Sequence, residues 1–173
     1  MKSWEDVWDE IISRKEIIEE YRKAFLLNMF KKICVRMNKD NSYRDSIMTL
    51  FRQTSDYVNT TKIIIRRSFD YELSDDVADI MWKWFDANRH KNNVRKTISF
   101  STKKCLYEKQ EGICPICSQE LGDDWSKIHV DHIIPWSLVG DELDDNYQAL
   151  CESCNECKNA KIDYVFMGLI NMN

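Results

Sequence analysis

The sequence predicts an α+β chain that is mostly helical, with a helical N-terminal region over residues 1–92 and a small compact domain over 93–173. Three observations carry this expectation. Apolar residues recur at three- and four-residue steps through the N-terminal half, the period of one helix face. A polar stretch over 88–93, containing His90, Lys91 and the asparagines 92 and 93, interrupts them and reads as a linker. Beyond it, two C-x2-C pairs, Cys114-Pro115-Ile116-Cys117 and Cys151-Glu152-Ser153-Cys154, bracket a β-branched segment over 127–134.

The elements follow in order. Residues 3–37 read as helix: Trp4, Val7, Trp8, Ile11 and Ile12 form a stripe that Ile17, Ile18, Tyr21, Phe25 and Met29 continue, and Ser3 with Asp6 is a capping signal. A second helix is expected over 43–52. A third covers 75–88, where Ser74 suits the cap and Val77, Ile80, Met81, Trp84 and Phe85 share a face. The run Ile63-Ile64-Ile65 is ambiguous by periodicity and is assigned to helix from its context. Ser101 suits an N-cap and Gly112 the left-handed residue after a helix end, so a short basic helix should lead into the first cysteine pair. After the strand-like 127–134, residues 135–145 read as loop, and 146–161 as a knuckle continuing into a helix.

With 173 residues, 43% hydrophobic and 31% charged, the composition is that of a soluble globular protein of one domain or two small ones. No apolar run approaches the ~18 residues of a spanning helix, and the acidic, amphipathic N-terminus does not resemble a signal peptide, so a cytoplasmic protein with no membrane partner is expected. The net charge of −4 hides a strong asymmetry. Residues 31–70 carry nine Lys or Arg against four Asp, and 91–110 carry six against one Glu. Residues 111–173 carry three Lys against twelve acidic residues, a balance of −9. Attraction to phosphate must then come mainly from outside that acidic part: from Lys91, Arg95, Lys96, Lys103, Lys104 and Lys109, from the basic middle segment, or from another subunit.

Seven cysteines is an odd number, and in a reducing compartment paired C-x2-C motifs are read as metal ligands before disulfides. Cys114, Cys117, Cys151 and Cys154 supply the four thiolates of a closed tetrahedral zinc site. Such an ion is a structural staple. A piece of about 60 residues buries little apolar surface, and structural zinc, at roughly 10 to 16 kcal/mol of apparent binding energy, can supply the missing stability. Cys34 and Cys105 read as small buried hydrophobes, and Cys157 as a lesser candidate ligand.

Four blocks occur in order: Gly112-Ile113-Cys114-Pro115-Ile116-Cys117, Asp131-His132-Ile133-Ile134-Pro135-Trp136-Ser137, Asn146-Tyr147-Gln148-Ala149-Leu150-Cys151, and Cys154-Asn155-Glu156-Cys157-Lys158. In this pattern, covering about residues 100–162, the chain resembles the HNH nuclease family in its zinc-stapled form. The resemblance implies a ββα-metal fold of two strands and one helix around a metal, and metal-dependent cleavage of DNA. The fourteen residues from His132 to Asn146 and the nine from Asn146 to Asn155 are similar to the spacing in the HNH domain of RNA-guided CRISPR nucleases.

Phosphodiester hydrolysis needs a nucleophilic water, neutralised charge on the phosphate, and help for the leaving 3′ oxygen. His132 suits the first task, because an imidazole with a pKa near neutrality can accept the proton of water, worth typically ~10²- to 10⁴-fold in rate. Asp131 and Asn155 are hard oxygen donors suited to Mg2+ or Mn2+, and the resemblance implies that they hold the single catalytic ion. It also implies that Asn146 fixes the loop and the His132 ring through hydrogen bonds. Many HNH proteins carry His where this chain has Asn155, a departure that disfavours nickel or zinc in catalysis. Asn155 also suits a helix cap. Lys103, Lys104 and Lys158 are candidate nucleic-acid contacts, with a solvated face as the alternative for each. His129 should share a strand face with Asp131, as a ligand to phosphate or ion or as a partly buried spectator. Trp136 is expected to pack the loop.

The leading functional expectation is a metal-dependent endonuclease that nicks DNA, and cuts both strands as a homodimer or in a larger complex such as a restriction or phage-defence system. The competing one is a non-catalytic zinc-knuckle module that docks nucleic acid or protein. It accounts for the cysteines but gives no reason for Asp131, His132, Asn146 and Asn155 to occur together.

Overall fold

In the computed structural model the described residues are 15–159, with side chains described from residue 22 onward. The expected cap at Ser3 and the stripe from Trp4 to Tyr21 lie outside those side chains, as do the last residues of the expected C-terminal helix, 160–161. Seven helices and one two-stranded antiparallel sheet are present among the described residues, so the chain is a mostly helical α+β protein with its strands in the C-terminal part. The helices are α1 (Lys15–Lys39), α2 (Asn41–Arg52), α3 (Tyr57–Phe69), α4 (Asp75–His90), α5 (Phe100–Lys109), α6 (Trp136–Val139) and α7 (Glu152–Lys158). The strands are β1 (Ile128–His132) and β2 (Tyr147–Cys151). No helix among the described residues is long and apolar enough to cross a membrane.

The chain forms two compact units. Of the described residues, one holds 15–26, 98–131 and 147–159, and the other holds 27–97 and 132–146. The division therefore runs between Asp131 and His132.

The larger helical unit is built on the stripes visible in the sequence. Leu27, Phe30, Ile33, Cys34 and Met37 of α1, Ile47 and Phe51 of α2, Ile64 and Ile65 of α3, and Val77, Met81, Trp84 and Phe85 of α4 are all buried. Each such side chain contributes about 1.5–3 kcal/mol by leaving water. Aromatic geometry orders the interior: Phe30 meets the edge of Phe85 at 5.1 Å, and Tyr57 stacks on Trp82 with centroids 4.2 Å apart and planes within 4°. Aspartates start two of the helices, Asp40 accepting from Tyr43 N at 3.0 Å and Asp56 from Asn59 N at 2.9 Å. Ile63-Ile64-Ile65 is helical, as its context implied. Ser74 occupies the N-cap of α4, but its side chain makes no capping bond.

The polar stretch read as a linker is tied down instead. Residues 89 and 90 complete α4, Asn88 Nδ2 donates to Leu138 O at 2.6 Å, Lys91 Nζ to Ser137 O at 2.8 Å, and Asn92 Nδ2 to Glu142 Oε1 at 3.0 Å. Side-chain donors here find carbonyl and carboxylate acceptors 46 to 50 residues away, a pairing that local composition cannot reveal.

The smaller unit is the sheet with α5, α7 and the first cysteine knuckle. Ile116, Leu121, Ile128, Ala149 and Leu150 are buried together with Cys114 and Cys154, and Leu106, Tyr107 and Trp125 pack against them. α5 begins two residues earlier than expected: Ser99, not Ser101, is the N-cap and accepts from Thr102 N at 3.1 Å, while Phe100 lies against Trp125 with centroids 5.1 Å apart. Gly112 does follow the helix end with φ +69°, and its amide donates to Tyr107 O at 2.9 Å. A Cβ at Gly112 would come 2.8 Å from the Tyr107 hydroxyl, so glycine is needed both for the turn and for the close approach. Gln110 then fastens the end of α5 to β2, accepting from Ala149 N at 2.7 Å and donating to Ala149 O at 2.9 Å.

Candidate functional site

The cysteine cluster is set up by tight turns. Ser118 N donates to Cys114 O and Cys114 N to Gln119 O, both at 2.9 Å, with Ser118 at φ +58° and a bridge between Ile113 and Glu120 closing the knuckle. The end of β2 and the first turn of α7 carry the second pair. The sulfurs of Cys114, Cys117, Cys151 and Cys154 all lie within 4.8 Å of one another, and those of Cys117 and Cys151 are 3.9 Å apart. A tetrahedral zinc with bonds of about 2.3 Å separates its sulfurs by about 3.8 Å, so the four cysteines are positioned to bind a metal ion, consistent with zinc.

Their electrostatics point the same way. Burial raises the Cys117 and Cys154 thiols, and neighbouring sulfurs raise Cys154 further. Burial also acts to raise Cys151, but hydrogen bonds from the Ser153 hydroxyl, the Cys154 backbone and the neighbouring thiols bring it down to about 7. One thiolate forms readily while its neighbours resist a second negative charge, which a bound cation would relieve. The other three cysteines stand apart from the cluster. Cys34 is buried, and burial pushes its thiol up to about 12. Cys157 is exposed, and so is Cys105, contrary to its expected burial.

In the smaller unit β1 presents Asp131, and α7 presents Asn155 and Lys158. Lys158 Nζ donates to Asp131 Oδ2 at 2.5 Å, with the lysine side chain 2% exposed and the aspartate 16%. The ammonium considered for phosphate is therefore turned inward onto the aspartate. Asn155 is half-buried, and its main-chain carbonyl accepts from Asn159 N at 3.2 Å. It stands inside α7 and not at its start, where Cys151 occupies the N-cap position without a side-chain capping bond. His129, two residues before Asp131 on β1, has a buried Nε2 without a hydrogen-bond partner. The carboxylate of Asp131 and the side-chain amide of Asn155 offer oxygen donors of the kind hard divalent cations take, and His129 adds a buried imidazole nitrogen.

In the larger unit His132 is buried, and its Nε2 lies 2.8 Å from Asp141 Oδ1. Asp141 is itself almost fully enclosed, and its Oδ2 accepts from Trp136 Nε1 and from Lys96 N, both at 2.9 Å. Lys96 Nζ reaches Asp141 O at 3.1 Å. Asn146, 3% exposed, clasps the loop: its Oδ1 accepts from Ile134 N at 2.8 Å, its Nδ2 donates to Ile134 O at 3.0 Å, and its main-chain carbonyl accepts from Ile133 N at 2.8 Å. Its side-chain bonds go to the backbone two residues past His132. Trp136 does pack the loop, through its bond to Asp141 and with the Arg95 guanidinium 5.5 Å from its ring centre.

Several basic side chains considered for phosphate are engaged within the protein. Lys103 Nζ donates to Trp125 O, Lys91 Nζ to Ser137 O, and Lys96 Nζ to Asp141 O; Lys104 lies 3.8 Å from Glu108. Carbonyls released from regular structure at helix and loop ends collect these ammonium groups.

The residue missed by the sequence reading is Asp141. Its only local signal is the Gly140-Asp141 dipeptide, a turn marker, and its partner lies nine positions upstream. No curated protein and no solved structure matches the chain. The family model of the HNH endonucleases matches residues 114–161, and over that segment, which carries the four clustered cysteines, Asp131, His132, Asn146 and Asn155, the chain is similar to that family.

Proposed function

We propose that the chain is a metal-dependent endonuclease that hydrolyses phosphodiester bonds in DNA. The observation that carries this reading is the family match over 114–161, which contains all four candidate catalytic residues as well as the cysteines. A module built only to fold around zinc needs neither a buried imidazole hydrogen-bonded to a carboxylate nor an ion-paired aspartate beside it in sequence.

In this reading zinc on Cys114, Cys117, Cys151 and Cys154 is a staple. Asp131 and Asn155, with His129 as a further donor, would hold Mg2+ or Mn2+. When bound, that ion supplies charge neutralisation at the phosphate and at the leaving 3′ oxygen. His132 takes the proton from the attacking water, and Asn146 holds the backbone that follows it. Lys158 holds Asp131 in place through their ion pair. The acidic balance of residues 111–173 and the internal engagement of Lys91, Lys96 and Lys103 favour delivery to DNA by the helical region, a second copy or a partner over tight binding by the catalytic part alone.

The test is cleavage of supercoiled plasmid with Mg2+ or Mn2+ by the zinc-loaded protein and by His132→Ala. Nicking by the first and a loss of about 10²-fold or more in the second is expected. Equal activity in both removes His132 as the base. A wild-type protein that binds nucleic acid but cuts none is the non-catalytic zinc-knuckle module instead.

A further inference from the structure

We propose that Asp141 is a positioning residue for His132: its carboxylate fixes the ring as the Nε2–H tautomer and thereby makes Nδ1 the nitrogen that accepts a proton. The consequence for cleavage rests on the nuclease reading above, whereas the tautomer does not.

The argument starts from donors that have no choice. An indole N–H and a peptide N–H can only donate, and both aim at Asp141 Oδ2, from Trp136 and Lys96 at 2.9 Å. That oxygen is therefore an acceptor. The side chains of His132 and Asp141 are 8% and 3% exposed, so an unmade hydrogen bond here would cost the desolvation of both groups. An ionised carboxylate has only acceptors to offer, and the 2.8 Å contact to Oδ1 thus requires His132 Nε2 to carry the hydrogen. A neutral imidazole has one N–H, which leaves the lone pair on Nδ1.

The direction of control is also set by structure. Asp141 is anchored independently of the ring by α6, through Trp136, and by the strap around Lys96. Gly140, at φ +64° and ψ −145°, makes the reversal that brings it there, with its amide on Trp136 O at 2.8 Å. A Cβ at Gly140 would come 2.8 Å from Lys91 Cβ, so the turn belongs to glycine. The carboxylate is held by two donors of its own unit, Trp136 Nε1 and Lys96 N, and the imidazole aligns to it, as in other dyads where an acid orients a base.

The experiment uses the zinc-loaded full chain with 15N-labelled histidine. Of its three histidines, the His132 ring is identified by comparison with His132→Gln, and long-range proton–nitrogen correlations are read at mildly alkaline pH. The wild-type ring is expected to show a protonated Nε2 and a pyridine-type Nδ1; a protonated Nδ1 overturns the proposal. In Asp141→Asn the amide oxygen takes the place held by the Trp136 and Lys96 donors. The NH2 then faces Nε2 and forces it to accept, so the tautomer should invert. Turnover should fall by about 10²- to 10⁴-fold with little change in DNA affinity. Turnover within a few-fold of wild type in a folded variant with an inverted ring overturns the positioning role. Should Asp141→Asn not fold, the wild-type spectrum alone still decides the tautomer. A wild-type protein without nuclease activity would count against the nuclease reading and leave the spectral answer standing.

Discussion

Lys158 and Asp131 form an enclosed ion pair, Nζ to Oδ2 2.5 Å, that ties α7 to β1. A lysine side chain that is 2% exposed has no route to water if its partner is removed. Asp131→Ala should therefore destabilise the protein by on the order of a few kcal/mol, because it takes the carboxylate away from an enclosed ammonium. Asp131→Asn keeps an acceptor oxygen and should lose clearly less. Urea denaturation of the two variants checks this, and equal stability of Asp131→Ala and wild type would refute it. The asparagine variant is accordingly the one to use when asking whether Asp131 binds the divalent ion.

Asn146 closes both polar groups of Ile134 with one amide. Asn146→Ala leaves a buried N–H and a buried C=O unpaired, which costs on the order of 1–3 kcal/mol for each group. Asn146→Asp retains the acceptor but turns a carboxylate oxygen toward the Ile134 carbonyl, so it should also be destabilising. Thermal melts measure the loss. A variant with unchanged melting but reduced cleavage would show that Asn146 acts on the chemistry directly and not by holding the loop.

How much of this was legible in the sequence depends on the range of the interaction. The α4 stripe and the cysteine pairs could be read because their spacing is local. β2 could be inferred only from family likeness, since Tyr-Gln-Ala-Leu-Cys lacks a β-branched signature and owes its extended form to pairing with β1 and to Gln110. The four-residue α6 is too short to show a period inside the loop. His132 with Asp141, Lys158 with Asp131 and Lys96 with the Asp141 carbonyl are all matches between distant or loop-borne groups, where composition reports the charge but not its partner. The basic residues thus suggested a phosphate surface, although several of them are occupied at home.

The seven thiols should sort by environment. With zinc bound, Cys105 and Cys157 are exposed and should alkylate at mildly alkaline pH. Burial raises the Cys34 thiol to about 12, so its thiolate is scarce far below that pH and it should stay unmodified. Metal removal by a strong chelator should release one zinc per chain, lower the melting temperature and open Cys114, Cys117, Cys151 and Cys154 to label. Mass spectrometry of the labelled protein counts the sites. Protection of the four that persists after complete metal removal would mean that the hydrophobic cluster, not the ion, shields them.

Gly140 links backbone geometry to the His132 partner. Its φ of +64° with ψ of −145° is a region essentially reserved for glycine, and an added Cβ would collide with Lys91. Gly140→Ala should cost more than about 1 kcal/mol and, because the strain is relieved by moving the next residue, should pull Asp141 off both Trp136 and His132. The Trp136 indole N–H resonance reports this directly: loss of its hydrogen bond should shift it upfield as cleavage declines. A Gly140→Ala protein that keeps the wild-type indole shift while losing stability would place the strain in the contact with Lys91 alone, and Asp141 would then be anchored without help from the turn.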